Sequence, residues 1–175
     1  YWRRNPQVIT TLFLLAIATA PQTQFHADEA PNNCSNCVSW NTEHAPFKIH
    51  GNSYYVGVDG LSSVLITSSK GHILIDGGLP QSAELIAKNI KQLGFSIKDV
   101  KWLLNSHAHF DHVGGLAALQ RMSGAKLIAS SDSAQAMKTG SALANDPQAG
   151  YGDVMNFPAI SNINIIVNGE KIKLG

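Results

Sequence analysis

The residues of this sequence that could do chemistry lie together in one short segment, Ser-His-Ala-His-Phe-Asp-His. It places three imidazoles and one carboxylate within six residues, and the candidate metal ligands are His107, His109, Asp111 and His112. So many polar groups in one place would be costly to pack unless a cation bound them. A His-x-His spacing on an extended segment directs two side chains to one face, and mixed imidazole and carboxylate ligands favour zinc. The segment therefore predicts a zinc site.

The elements that must position this segment alternate between strands and helices. An apolar run over residues 100–104 predicts a strand that ends just before the histidines, and residues 113–123 predict a helix that follows them. Near the end, Asn168-Gly169 between two apolar runs predicts a hairpin with a type I′ turn. The sequence thus predicts a mixed α/β (α+β) fold with the histidines at a strand end. Further strands and helices are predicted over residues 54–58, 64–67, 72–76 and 125–130, and over 85–93 and 133–138, respectively.

Length and composition indicate one folded domain with little net charge. At about 150 residues per domain, the 175 residues predict one domain, or one domain with a short appendage. With 44% hydrophobic and only 14% charged residues, the chain is too apolar to remain disordered. A formal net charge of +1 produces no field that would favour nucleic acid as a partner, so we expect none.

The first residues predict a segment that is not part of the domain. Arg3 and Arg4 precede an uncharged apolar run over residues 8–20, which is typical of a secretory signal peptide and too short to span a bilayer comfortably. Small residues after the run offer several cleavage sites, and we take residues 1–27 as the signal peptide and 28–39 as a linker. A buried N-terminal helix is the alternative, although no capping pattern supports it. We therefore expect an exported protein without a stable membrane anchor.

The two cysteines, Cys34 and Cys37, form a Cys-x-x-Cys pair. In an oxidising compartment such a pair can close a small disulfide loop, whereas a redox or zinc-binding pair is the alternative. No second Cys-x-x-Cys is present to complete a four-ligand zinc site, and the flanking residues do not resemble a strand that leads into a catalytic helix. A disulfide is therefore the favoured interpretation.

The candidate ligand segment carries a resemblance to a known family. His107-Ala-His109-Phe-Asp111-His112, followed by Val-Gly-Gly, resembles the His-x-His-x-Asp-His motif of the metallo-β-lactamase superfamily. The resemblance implies an αβ/βα sandwich with metal ions at one edge between two sheets, of which residues 40–175 form a truncated N-terminal part. The stretches that resemble the N-terminal half of subclass B3 metallo-β-lactamases are residues 46–57, 60–66 and 71–78.

The resemblance also implies roles for the candidate ligands. His107 and His109 match two of the three ligands of a first zinc ion, and Asp111 and His112 match two of the three ligands of a second. Asp111 would also orient the attacking water and is therefore the expected catalytic residue. In this family the third histidine of each site comes from the C-terminal half, and no histidine follows His112. We therefore expect the remaining ligands beyond Gly175 and no activity from the truncated chain alone.

Three further residues receive roles from the resemblance. Asp76 matches an aspartate that supports the metal-binding loop, although a turn-forming aspartate before two glycines is an equal alternative. Tyr151 and Phe157 lie in a segment that resembles one side of the B3 substrate cleft, where an aromatic residue could equally pack beneath the loop. The other four histidines are expected to be surface or loop residues: His26, His44, His50 and His72.

The resemblance implies a function for the complete protein. It would hydrolyse the amide bond of small-molecule β-lactam antibiotics, carbapenems included, with two zinc ions per complete domain and a metal-bound hydroxide as nucleophile. The substrate would be met in the periplasm, in agreement with the export signal. Because glyoxalase II-like thioesterases and lactonases share the motif, another dizinc hydrolase of the superfamily is the alternative, and an inactive fragment is the third. The sequence has no Ser-x-x-Lys in surroundings typical of serine β-lactamases and no Gly-x-Ser-x-Gly pattern, which disfavours catalysis through a covalent serine intermediate.

Overall fold

The computed structural model of the chain describes residues 30–174, and the predicted signal peptide, residues 1–27, lies outside the described residues. Cys34 and Cys37 form a disulfide, which confirms the favoured interpretation of this pair. Cys37 is only 1% exposed and belongs to the hydrophobic core. Part of the predicted linker, residues 28–39, thus packs against the domain. No helix in the described part of the chain has both the length and the apolar character needed to cross a bilayer.

The described residues contain one seven-stranded sheet, in which neighbouring strands are also neighbours along the chain. The strands are β1 Phe47–His50, β2 Ser53–Tyr55, β3 Val64–Ser68, β4 Gly71–Ile75, β5 Val100–Leu104, β6 Lys126–Ala129 and β7 Ile163–Ile165. β1 to β4 form an antiparallel meander, and β1 lies outside the predicted strands. β5, β6 and β7 each pair parallel with the strand before them.

The connections between the parallel strands carry the longer helices, which pack on one face of the sheet. The buried strand residues on this face include four leucines with 0% exposure, Leu65, Leu74, Leu103 and Leu127. This alternation of strands with amphipathic helices confirms the predicted mixed α/β fold. The helices are α1 Cys37–Trp40, α2 Ala83–Gln92, α3 Phe110–Val113, α4 Leu116–Ser123 and α5 Ser131–Thr139, and short 3-10 turns lie at Pro80–Ser82, Ile97–Asp99, Ala149–Tyr151 and Asp153–Met155.

Two predicted elements differ from the structure. The helix predicted over residues 113–123 begins only at Leu116, because Gly114 and Gly115 pack against the loop that follows β4; Val113 is the last residue of the separate helix α3. The predicted C-terminal hairpin is wrong: β7 pairs parallel with β6, and residues 170–174 form no strand. A type I′ turn needs positive φ at both central residues. Gly169 has φ 86°, but Asn168 does not have positive φ.

The expectation for the other histidines is wrong for His72. Its position in β4 directs its side chain to the helix-covered face, where the residue is 7% exposed and its ring centroid lies 5.1 Å from that of Phe95. His50 is exposed and His44 is partly buried, and His26 lies outside the described residues. Alternation along a strand therefore decides the burial of His72.

The sheet face opposite the helices carries apolar side chains that the described residues cover only in part. Such a face is the one that a second sheet would cover in a sandwich. Its centre consists of two rows of directly paired neighbours on β3, β4 and β5: Val64, Ile75 and Leu104, and Ile66, Ile73 and Trp102.

We expect the isolated 175-residue chain to bind a dye such as anilinonaphthalene sulfonate, because a contiguous exposed apolar patch provides its binding surface. Replacing Ile73 in the centre of this face by threonine should lower the fluorescence of the bound dye. The matched control is Val38→Thr, at an apolar residue that is 84% exposed and lies outside the face. Cooperative thermal unfolding of the chain without any dye fluorescence would contradict this prediction.

Candidate metal centre

The candidate site lies where two parallel strands end side by side. In the register of β4 and β5, Ile75 lies opposite Leu104. The amide of Asp76 continues this pairing by donating to the carbonyl oxygen of Leu104 at 2.9 Å. The candidate ligand segment follows β5 directly, so its histidines reach the same edge of the sheet as Asp76. The carboxyl ends of parallel strands are a common place for functional sites in α/β folds.

Two glycine-containing loops pack closely and bring the ligand segment against the end of β4. The amide of Gly77 donates to the carbonyl oxygen of His112 at 2.7 Å, and the amide of Gly115 donates to that of Gly78 at 3.2 Å. A Cβ atom on Gly115 would lie 2.2 Å from the carbonyl oxygen of Gly77. The absence of a side chain is thus what permits this approach, and the approach sets the distance between Asp76 and the histidines.

Three of the four predicted ligands converge in the structure. Ligand atoms of His107, Asp111 and His112 all lie within 4.8 Å of one another. His112 Nε2 is 3.6 Å from Asp111 Oδ2, and the ring centroids of His107 and His112 are 4.0 Å apart. The fourth, His109, adjoins His107 with a centroid distance of 4.5 Å, but its Nε2 faces the carboxylate of Asp146.

The convergent groups fit a divalent cation. Asp111 Oδ1 is buried and has no hydrogen-bond partner among residues 30–174. A buried carboxylate oxygen without a partner is costly, and a cation bound between Asp111 and the neighbouring imidazoles would satisfy it. Imidazole nitrogens and a carboxylate oxygen are ligand types that zinc accepts. Both the orphaned oxygen and the donor types therefore agree with a metal site.

Asp76 contacts the candidate ligand segment through Ser106 and His112. Its carboxylate accepts from the amide and the hydroxyl of Ser106 at 2.7 and 2.8 Å, and it lies 3.0 Å from His112 Nδ1. Burial raises the pKa of Asp76, but the hydrogen bonds from His112 and Ser106 outweigh burial and hold this pKa below its ordinary value. The same contact raises the pKa of His112. With Nδ1 of His112 engaged by Asp76, Nε2 is left to face Asp111.

The neighbouring rings affect the protonation of His107. Burial, followed by the nearby imidazoles of His112 and His109, lowers the pKa of His107 below its ordinary value. Only the neutral imidazole has a lone pair for a metal ion. His107 is therefore held in the state that can act as a ligand at neutral pH.

Asp146 is a site residue that sequence reasoning missed. Its carboxylate oxygens lie 3.0 and 3.1 Å from His109 Nε2, although the two residues are 37 positions apart. The backbone hydrogen bond from Gln148, followed by the contact with His109, lowers the pKa of Asp146. No local pattern marks this residue, because Asn-Asp-Pro is an ordinary loop sequence. Only the fold brings the loop after α5 to His109.

A cleft of about 260 Å³ adjoins the ligands, and its lining includes His107, Asp132 and Asp146. Phe157 is 7% exposed and belongs to the hydrophobic core. Its burial favours packing beneath the loop, the alternative stated above, over contact with a substrate. Tyr151 is 64% exposed, and its role beside a substrate stays a prediction.

Comparison with known proteins decides the family. A family model described as the metallo-beta-lactamase superfamily matches residues 56–170. The chain belongs to this superfamily. Its sheet, its helices and its ligand segment thus form part of a metallo-β-lactamase fold, as the sequence predicts.

Solved structures confirm the resemblance to subclass B3. Rm3 metallo-β-lactamase is 48% identical with a TM-score of 0.78, and the match covers 82% of this chain and 52% of that chain. MEM-A1, a subclass B3 metallo-β-lactamase isolated from a soil metagenome library, is 50% identical with a TM-score of 0.73, and the match covers 78% and 51% of the two chains. This chain therefore spans about half the length of the metallo-β-lactamase structures that it matches.

Curated relatives in the superfamily cover a shorter region. A UPF0173 metal-dependent hydrolase from Rhizobium etli is 36% identical over 73 residues, which are 42% of this chain and 30% of that protein. An N-acyl homoserine lactonase from a Bacillus species is 29% identical in an alignment of 77 residues, and the match covers 31% of this chain and 31% of that protein. The name of the second relative states a lactone substrate, and the name of the first states no substrate.

We expect Asp76→Asn to weaken metal binding without unfolding the protein. Asp76 has φ 62°, a conformation that asparagine also adopts readily, and an asparagine oxygen could still accept from the Ser106 amide. The amide nitrogen cannot accept a bond from His112 Nδ1. Loss of such a partner of a metal-bound histidine costs about 10–100-fold in metal affinity. Zinc titration against a chelating dye measures this loss, with the exposed Asp99→Asn as control, and an unchanged Kd would contradict the prediction.

Proposed function

We propose that the protein to which this chain belongs is a zinc-dependent hydrolase of β-lactam antibiotics, carbapenems included, with two zinc ions per complete domain. The observation that carries the proposal is the convergence of ligand atoms from His107, Asp111 and His112 within 4.8 Å. The substrate class is supported by 50% identity to a subclass B3 metallo-β-lactamase over most of this chain.

Each group in the site has a distinct task in this reaction. Two zinc ions, one held by His107 and His109 and the other by Asp111 and His112, would supply Lewis acids and would lower the pKa of a bound water to about 7. Asp111 would bind the metal ion through the buried Oδ1, and its other oxygen could accept a hydrogen bond from the attacking water and so orient the lone pair of the water toward the carbonyl carbon. Asp76 holds the ring of His112 in place at 3.0 Å. The reaction adds water across the lactam amide bond and yields a carboxylate and an amine.

A lactonase is the second candidate. The observation that favours it is the sequence match to an N-acyl homoserine lactonase, at 29% identity over 77 residues. Lactone and lactam hydrolysis both begin with attack of water on a ring carbonyl carbon, so the same ligand set serves either reaction. The two differ in the leaving atom, which is an alkoxide oxygen for a lactone and an amide nitrogen for a lactam.

Substrate turnover separates these two functions. The protein is expressed from its complete gene, and carbapenem hydrolysis is followed by the loss of ultraviolet absorbance, with an acyl homoserine lactone assayed in parallel. Turnover of the carbapenem that is abolished by EDTA and restored by zinc would support the β-lactam proposal. Zinc-bound protein that opens the lactone but leaves the carbapenem intact would overturn it in favour of the second candidate. The His112→Ala variant serves as the inactive control in both assays.

We also propose that the protein acts in the periplasm. The apolar run over residues 8–20 supports export, and the disulfide between Cys34 and Cys37 agrees with an oxidising compartment. Cell fractionation followed by thiol labelling tests both points. Protein recovered in the cytoplasmic fraction with both thiols free to react would contradict the proposal.

A further inference from the structure

The site contains a second carboxylate and imidazole pair in addition to Asp76 and His112. We propose that Asp146 is a positioning residue, which fixes the ring of His109 with its proton on Nε2 and so presents Nδ1 to the metal ion. This inference rests on the proposed function, because it assigns a metal-ligand role to His109. Asp146 itself would touch neither the metal ion nor the substrate.

The contact between the two side chains involves both carboxylate oxygens. His109 Nε2 lies 3.1 Å from Asp146 Oδ1 and 3.0 Å from Asp146 Oδ2. The side chains are 22% and 27% exposed, so the contact is partly shielded from water. His109 precedes α3 with extended backbone, φ −97° and ψ 153°, and its side chain does not cap this helix. A ring with such a partner has far fewer orientations open to it than a free ring.

The loop around Asp146 orients its carboxylate without help from a metal ion. The amide of Asp146 donates to the carbonyl oxygen of Leu143 at 2.8 Å, and the amide of Ala149 donates to the carbonyl oxygen of Asp146 at 3.0 Å. The amide of Gln148 donates to Asp146 Oδ1 at 2.8 Å. Three hydrogen bonds that involve backbone groups thus hold the carboxylate of Asp146, which contacts His109.

The chemistry of the pair selects one ring nitrogen. An ionised carboxylate only accepts hydrogen bonds, and a neutral imidazole has a single N–H, so the contact at Nε2 of His109 leaves the lone pair on Nδ1. In His112 the arrangement is reversed, because Asp76 lies 3.0 Å from Nδ1 and leaves Nε2 toward Asp111. Carboxylates that hold metal-bound histidines in this way set both ring orientation and ligand basicity.

The first test reads the tautomer directly. Nitrogen-15 chemical shifts of His109 are measured by NMR in metal-free protein expressed from the complete gene, for the wild type, Asp146→Ala and Asp146→Asn. We expect the Nε2–H tautomer in the wild type and in Asp146→Asn, whose amide oxygen can still accept, and a mixture of tautomers in Asp146→Ala. Tautomer populations that are identical in the wild type and Asp146→Ala would overturn the inference.

The second test measures zinc affinity by competition with a chelator. We expect Asp146→Ala to lose about 10–100-fold in affinity, and Asp146→Asn to recover part of that loss. The control is Asp132→Asn, which removes the same charge from the same cleft while its carboxylate accepts from Ser131 at 3.3 Å. Equal losses for Asp132→Asn and Asp146→Ala would assign the effect to net charge and would overturn the inference.

Neither readout depends on the substrate, so the two proposals fail separately. A protein that hydrolyses no β-lactam but shows both Asp146 effects would overturn the proposed function and leave the role of Asp146 standing. The opposite result is a protein that hydrolyses carbapenems with zinc while Asp146→Ala leaves the His109 tautomer and the zinc Kd unchanged. That result would overturn the role of Asp146 and leave the proposed function standing. Failure of the wild-type protein to bind zinc would overturn both.

Discussion

Replacing Asp111 by asparagine is expected to lower zinc-dependent hydrolysis by more than about 100-fold, because removing groups that merely hydrogen-bond to a metal ligand already costs about 10–100-fold. Asp111 combines two features in one side chain. One of its oxygens faces His112 Nε2 at 3.6 Å, and the other is buried without a partner among the described residues. An amide of the same shape presents a neutral ligand oxygen and an N–H₂ group that repels a cation. The variant therefore keeps the packing and removes the charge.

Turnover and zinc stoichiometry of Asp111→Asn, measured on the protein from its complete gene, check this prediction. Asp99→Asn is the matched control, since it makes the same chemical change at an exposed residue just before β5. We expect the control to retain wild-type turnover. Activity of Asp111→Asn within a few-fold of the wild type would show that the convergent cluster does not bind the catalytic metal ion.

The substitution Gly115→Ala is expected to destabilise the fold by about 3 kcal/mol or more, at the upper end of the range for overpacking. The added Cβ would lie 2.2 Å from the carbonyl oxygen of Gly77 and 3.0 Å from that of Leu79. Both contacts are with backbone, so no side-chain rotation can relieve them. The backbone of Gly115 has φ −82° and ψ −7°, a negative φ that is open to alanine, so the clash is the main source of the expected loss of stability.

The free energy of unfolding from urea titration measures this effect, and zinc titration measures its consequence for the site. Separating the loops also moves Asp76 away from His112, so we expect zinc affinity to fall together with stability. Gly150→Ala is the control, because a Cβ atom there meets nothing within 4 Å. A stability of Gly115→Ala within about 0.5 kcal/mol of the wild type would contradict the tight packing of the two loops.

Much of the site could be predicted because its signals are local. The four candidate ligands lie within six consecutive positions after a recognisable strand, so the chain itself keeps His107 and His112 close together. The strands β4 and β5 could likewise be predicted, because the pattern of their apolar residues is visible in neighbouring positions. Asp76 is assigned to the site because the sequence resembles the superfamily, in which an aspartate at this place supports the metal-binding loop. Asp76 lies 3.0 Å from His112 Nδ1, and its role in supporting the metal-binding loop stays a prediction.

The predictions that were wrong and the site residue that was missed have a common cause. Asp146 reaches His109 across 37 positions, and nothing in Asn-Asp-Pro indicates a partner. Asn-Gly at residues 168–169 has the composition of a hairpin turn, yet β6 offers a parallel edge to β7, and this pairing replaces the hairpin. His72 is polar, yet its place on the helix-covered face of β4 buries it. In each case a contact between distant segments overrides a local preference.

The sequence by itself determined the types of strands and helices, the ligand segment at the end of β5 and the metallo-β-lactamase resemblance, because periodicity and motif spacing are properties of neighbouring residues. Only the tertiary structure decided which ligand atoms converge and which nitrogen of each imidazole stays free. Those outcomes depend on the close approach of Gly77 and Gly115 and on the carboxylates of Asp76 and Asp146. Such distances are set by packing between segments that are remote along the chain, and no local pattern encodes them.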